Sequence, residues 1–262
     1  MRIEFLTQDD PLYVLPFFEE FFRHYAQEFE IVQVSACPVM GKRNRSQLLK
    51  ELFHLYGLIG MVRVGARAMM ARILGHVPRR ARPTGRYYTL EQLCRAYGVP
   101  YVSIGDPNSP ESVAATRSRA PEALVSVACP YILKDTLLSL PPLGCINIHH
   151  APLPRYKGMM PTFWQMYHGE KQVGVTVHYM AAKVDEGSAL LQEELAIVPG
   201  ETLDHLIRRS KRHGAHCMAK VLRQVAEGTQ SVIRFDPSSG SYFTFPTLSE
   251  IREFHRRGFR AV

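Results

Sequence analysis

The sequence is short of the features that mark several protein classes. No apolar run reaches the roughly 18 residues that a membrane-spanning helix needs. The longest, residues 52–62, is interrupted by His54 and followed at once by Arg63. Cysteine is scarce and odd in number: Cys37, Cys94, Cys129, Cys145 and Cys217 include no Cys-x-x-Cys pair. That disfavours a zinc module or a disulfide framework and favours free thiols in a reducing cytosol. No signal-peptide pattern precedes the first strand-like run, so a cytoplasmic location is expected. Internal repeats and low-complexity linkers are missing as well.

What is present is ordinary in bulk. Of 262 residues, 46% are hydrophobic and 21% charged. Those proportions exclude wholesale disorder, collagen and coiled coil. Lys and Arg number 32 against 24 Asp and Glu, a net charge of +8. The excess is local. Residues 41–87 hold eleven basic residues and one acid, Glu51, for +10; the remainder, with 21 basic and 23 acidic residues, is −2. A nucleic-acid-binding body is therefore disfavoured, and one basic element needs explaining.

Strand-like runs alternate with helical periodicity. Residues 2–6 read as a strand, and Phe17, Phe18, Phe21, Phe22 and Tyr25 recur at helical spacing. Further strands are expected at 30–35, 101–104, 123–128 and 145–149, separated by helices. The pattern predicts an α/β fold with a mostly parallel, doubly wound, Rossmann-like sheet, whose ligands bind beyond the carboxyl ends of the strands. Residues 1–200 read as the catalytic domain, with a basic helical insertion at about 41–87. Residues 201–262 read as an extension: a helix at 202–227, a β-hairpin around Pro237-Ser238-Ser239-Gly240, and a short helix.

The chemistry concentrates between Cys145 and Gln192. Alternation puts Asn147 and His149 on the same side of a strand end. A rigid polar loop, Leu153-Pro154-Arg155-Tyr156-Lys157-Gly158, comes next, and Asp185-Glu186-Gly187 follows a later strand. An amide donor, an imidazole and a carboxylate can together run acyl transfer: the amide bonds a developing oxyanion, the imidazole moves a proton, and the carboxylate orients it. Asn147-Ile148-His149, Leu153-Pro154-x-x-x-Gly158, Gly174-Val175-Thr176-Val177-His178 and Asp185-x-Gly187 resemble the motifs of the formyltransferases that use 10-formyltetrahydrofolate. The resemblance implies that Asn147, His149 and Asp185 surround the transferred formyl group. It also implies that Tyr131, Ile132 and Leu133 hold the pterin, with Ala182, Val184 and Asp185 closing its other side. No metal is expected. His149-His150 lacks a third ligand at a useful spacing. Arg155, Lys157 and His178 are candidates for the acceptor side, with a solvated loop or a satisfied buried histidine as the bland readings. Trp164 and Phe163 read as core, and His213 and His216 as surface.

Within that family, the roughly seventy residues after Gln192 are too few for the tRNA-binding barrel of methionyl-tRNA formyltransferase. Thr7-Gln8-Asp9-Asp10-Pro11, acidic and without glycine, is a poor phosphate nest and counts against a glycinamide ribonucleotide. The expected activity is formyl transfer to a primary amine of a small molecule, a nucleotide-linked amino sugar being the best match. Formyltetrahydrofolate deformylase is the alternative enzyme, and a non-catalytic folate-binding protein a further one. No nucleic-acid partner is expected, and a homodimer is compatible with the reading. The basic segment 41–87 has three readings: a clamp for an anionic acceptor, a patch on an anionic membrane, or a helix packed on the sheet with its arginines in water.

Overall fold

The computed structural model describes residues 1–38, 44–77, 85–181, 185, 187–236 and 239–262. Five consecutive buried residues make β1 (Arg2–Gln8) an interior strand, flanked by parallel partners on both edges. Such a strand is buried on both faces, so it shows little alternation, and its buried Glu4 pairs with Arg119 at 2.7 Å. Its Phe5 receives α1 (Leu15–Tyr25), whose Phe18 and Phe21 rings meet it edge-on at 5.1 and 5.2 Å.

The chain continues through β2 (Glu30–Cys37), α2 (Arg45–Leu74), α3 (Leu90–Tyr97), β3 (Tyr101–Ser103), α4 (Pro110–Arg119), β4 (Ala123–Val127), α5 (Asp135–Leu138) and β5 (Cys145–His149). It then forms β6 (Lys157–Gly158), α6 (Pro161–Tyr167), β7 (Gln172–Tyr179), β8 (Ala189–Ala196), α7 (Leu203–Glu227), β9 (Tyr242–Phe243) and α8 (Leu248–Arg256). Seven strands make one sheet in the order β3-β2-β1-β4-β5-β7-β8. The first five are parallel; β7 and β8 are antiparallel to their neighbours. This is the mostly parallel, doubly wound sheet expected. Strand order reverses between β1 and β4, which opens a crevice at their carboxyl ends.

Two expectations for the C-terminal part need correction. The helix assigned to an extension from residue 201 belongs to the main core: Ala215, Met218, Ala219 and Leu222 of α7 pack with Phe5 and the α1 phenylalanines. Nor, among the described residues, does the tail close on itself as a hairpin: β9 pairs in parallel with β6, and Ile233 bridges Ala189. The proposed turn residues Pro237 and Ser238 lie outside the described residues. The short terminal helix is present as α8, started by a capping box of Thr247 and Glu250. Its Phe254 stacks on Phe163 of α6 at 4.7 Å.

The basic segment is also not what a helix lying on the sheet would be. α2 kinks at Gly57, where φ is +63°. Beyond the kink Arg67 turns inward to Asp204 of α7 at 2.8 Å, while Ile59, Met69 and Ile73 face solvent. Lys42, Arg43, Arg79, Arg80 and Arg82 lie outside the described residues.

Candidate active site

The site forms where β5 ends. Pleating carries Asn147 and His149 to one side of the sheet, and antiparallel β7 sets His178 directly opposite Asn147. The chain then leaves β5 through residues 150–158, which run back under the site. Several side chains pin this loop. The Thr176 hydroxyl donates to the Ala151 carbonyl at 2.6 Å and accepts from the Leu153 amide at 3.2 Å. Gln192 donates to the Leu153 carbonyl at 2.9 Å, and Gln165 to the His150 carbonyl at 2.9 Å. Gly174 lets Pro152 lie against β7, since a Cβ there would sit 2.3 Å from the Pro152 nitrogen.

The pinned loop in turn fixes the imidazole. Tyr156, held at φ +60°, aims its carbonyl at His149, whose Nε2–H donates to it at 2.8 Å. A carbonyl only accepts, so Nε2 carries the proton and Nδ1 is the free nitrogen. Nδ1 faces Asp185 Oδ2 at 3.5 Å, an ion-pair rather than a hydrogen-bond distance. The Gly158 amide donates to the same carboxylate oxygen at 3.1 Å. Asp185 is itself left-handed at φ +52°, a conformation aspartate tolerates better than most residues. Two residues in this costly region, both holding site groups, are the pattern of strain kept where function needs it.

His178 completes the group. Its Nδ1–H donates to the Tyr179 carbonyl at 2.7 Å, its Nε2 accepts from the Asn147 amide at 3.1 Å, and Asp185 Oδ1 lies 3.6 Å away. Asn147, His149, His178 and Asp185 therefore form one cluster, although they come from three separate stretches of sequence.

Burial and charge act against each other here. Loss of water lowers the pKa of His149 below the ordinary 6.5, while the Asp185 charge pulls it back up. Burial would raise the Asp185 carboxyl, but His149, the nearby His178 ring and the Gly158 amide outweigh it and bring it to about 2. At neutral pH the pair is thus a neutral imidazole beside a carboxylate. Next to it, burial drives His150 well below 6.5, with the Lys211 charge adding to the effect. Lys211 itself falls to about 8 through loss of water, against the attraction of Asp10. No pattern in the sequence singled out Lys211, which reads there as one of many cations on a solvated helix.

The other predicted residues are placed unevenly. Tyr131, Ile132 and Leu133 follow β4, on the crevice side of the sheet. Ile132 is 61% exposed and presents an apolar surface; Leu133 is buried in the core and can offer only its backbone. Asn108 fastens this segment, donating to the Ile132 carbonyl at 3.0 Å and accepting from the Lys134 amide at 2.7 Å. Ala182 and Val184 lie outside the described residues. Arg155 pairs with Glu170 between α6 and β7, 2.9 Å away, and lies over the Tyr156 ring. Lys157 stands in β6 beside β9. Phe163 and Trp164 are core, as read. Elsewhere, the donor atoms of Glu193, His213 and Cys217 lie within 4.8 Å of one another, a grouping that no sequence spacing announced. Lys220 already pairs with that carboxylate at 3.0 Å.

Comparison with known proteins bears on this geometry. Residues 101–222, which include the whole cluster, match the formyl transferase family. A methionyl-tRNA formyltransferase of Synechococcus sp. is 32% identical over 189 residues, covering 70% of this chain and 58% of that protein. One from Syntrophus aciditrophicus is 38% identical over 128 residues, covering 49% and 41%. The chain spans about half the length of the curated relatives it matches. In fold, it is similar to glycinamide ribonucleotide transformylase 1 from Symbiobacterium toebii, with a TM-score of 0.60 at 18% identity over 87% of this chain and 88% of that one. It is also similar to a sugar N-formyltransferase from Shewanella sp., with 0.55 at 19% over 93% and 76%. In sequence and in its α/β fold alike, the chain resembles the 10-formyltetrahydrofolate-dependent formyltransferases.

Proposed function

We propose that the chain transfers a formyl group from 10-formyltetrahydrofolate to a primary amine. The observation that carries this reading is the convergence of Asn147, His149 and Asp185 at the end of β5 and beyond β7. The amine nitrogen attacks the formyl carbon, and the carbonyl oxygen takes up negative charge. Asn147 stabilises that oxygen as the tetrahedral intermediate forms, joined by His149 once its Nδ1 has taken the proton of the amine. Asp185, already ionised, compensates positive charge on His149 as the amine loses a proton. Collapse breaks the bond from the formyl carbon to the folate nitrogen, which leaves with the proton. Ile132 and the backbone around Tyr131 and Leu133 form one wall for the pterin.

For the acceptor we infer a small molecule, a nucleotide-linked amino sugar being the favoured class. Support comes from Asp9 and Asp10 after β1, which disfavour a phosphate in that loop, and from the likeness to a sugar N-formyltransferase. The curated relatives are methionyl-tRNA formyltransferases, so charged initiator tRNA belongs among the acceptors tried. The purified chain is incubated with 10-formyltetrahydrofolate and a panel of amines, and products are weighed by mass spectrometry. A gain of one formyl group on an amino sugar is the expected result. Release of tetrahydrofolate without any acceptor makes the chain a deformylase instead. Tight folate binding with neither reaction makes it a binding protein.

A further inference from the structure

We propose that α2 lies in the surface of an anionic lipid bilayer and docks the protein there. The argument begins with how the helix is fixed. One face holds the body: Leu55 is fully buried, its carbonyl accepts from His255 of α8 at 3.1 Å, and the hydroxyls of Tyr56 and Tyr13 meet at 2.7 Å. Further along, Gly60 lies against Val262, and Arg67 pairs with Asp204. These contacts leave the opposite face outward.

That outward face is apolar. Leu58, Ile59, Val62, Met69 and Ile73 are 69, 71, 65, 59 and 62% exposed. They recur at helical spacing, so they form one stripe about 22 Å long at the helical rise per residue. A soluble monomer rarely exposes so large a contiguous apolar stripe without a partner to cover it. Arg63 and Arg72 flank the stripe, and no acid occurs between Glu51 and Glu91. An apolar stripe edged with arginines suits a bilayer interface: the stripe enters the acyl boundary while the guanidinium groups reach anionic headgroups. A second copy of this chain suits it poorly, because a two-fold contact through the stripe sets like charges against one another. No described helix is long and apolar enough to cross a membrane, so α2 lies in the surface and does not span it.

Co-sedimentation of the full chain with vesicles tests this. Phosphatidylcholine alone is compared with phosphatidylcholine mixed equally with phosphatidylglycerol, at low and high salt. The wild type is expected to bind the anionic vesicles at least ~10-fold better than the neutral ones, and more weakly as salt rises. Ile59→Glu/Ile73→Glu and Arg63→Glu/Arg72→Glu are each expected to lose ~10-fold or more in anionic-vesicle binding. Both pairs are on the surface, so circular dichroism and Tm should stay at wild-type values and separate lost docking from lost folding. No binding to anionic vesicles at low salt overturns the proposal, as does wild-type binding by Ile59→Glu/Ile73→Glu. So does a dimer in light scattering that Ile59→Glu/Ile73→Glu dissolves, which would give the stripe to a second copy. Because the assay reads binding alone, its failure leaves the formyl-transfer reading untouched.

Discussion

At the scale of residues, the site is a contest between desolvation and charge. His149 is kept neutral by burial, and Asp185 is kept ionised by the histidines and the Gly158 amide around it. Both groups therefore bind protons less readily folded than unfolded, and both make the fold less stable as pH falls. The histidine contribution, to which buried His150 adds, begins to be lost below 6.5; that of Asp185 is lost between 3.8 and about 2. Thermal melts should show Tm falling over these two windows, with Asp185→Asn flattening the lower one. Nuclear magnetic resonance of the imidazole protons should find His149 titrating below 6.5, and lower still in Asp185→Asn, which removes the charge that raises it. In the formyl-transfer assay, His149→Ala and Asp185→Asn should each reduce the rate ~100-fold or more, the scale of removing a group that meets charge in the transition state. Rates within a fewfold of wild type would dismiss these roles.

At the scale of elements, the loop at 150–158 is the part on which the site depends, and strand β7 holds it. Gly174→Ala should cost about 1–3 kcal/mol in a urea melt, because its Cβ meets Pro152 backbone that other bonds already pin. It should also lower the formyl-transfer rate by moving the Tyr156 carbonyl that orients His149. The strands and helices themselves were largely legible from periodicity, since the core strands are rich in apolar residues and α1 turns its phenylalanines to one face. Partners were not legible where they lie far apart. The turn-like residues near Pro237 read locally as a hairpin, yet the backbone groups of β9 bond to β6 at the end of the site loop. Lys211 stayed hidden for a similar reason: only the packing of α7 removes its water.

At the scale of the whole molecule, the C-terminal helix α8 ties the basic helix α2 to α6. Phe254 of α8 stacks on Phe163, and His255 takes hold of α2. Phe254→Ala should destabilise the protein by about 3–5 kcal/mol and be read as a lower urea midpoint. The charge of +8 belongs mostly to one segment, and the fold turns part of that segment inside out. Arg67 is drawn inward by Asp204, and the apolar residues of α2 are left to solvent.

The sequence by itself determined the class of fold and the small set of polar residues able to carry acyl chemistry. Both follow from local rules: hydrophobic period sets the element, and few side chains can bond an oxyanion or move a proton near neutral pH. Only the tertiary structure decided which nitrogen of His149 is free, that His178 stands with Asn147 and Asp185, that α7 belongs to the core, and which way α2 faces. Those outcomes depend on groups far apart in the chain meeting in a space with little water, where each partner's charge and each lost hydration shell count. Local pattern holds no record of that meeting.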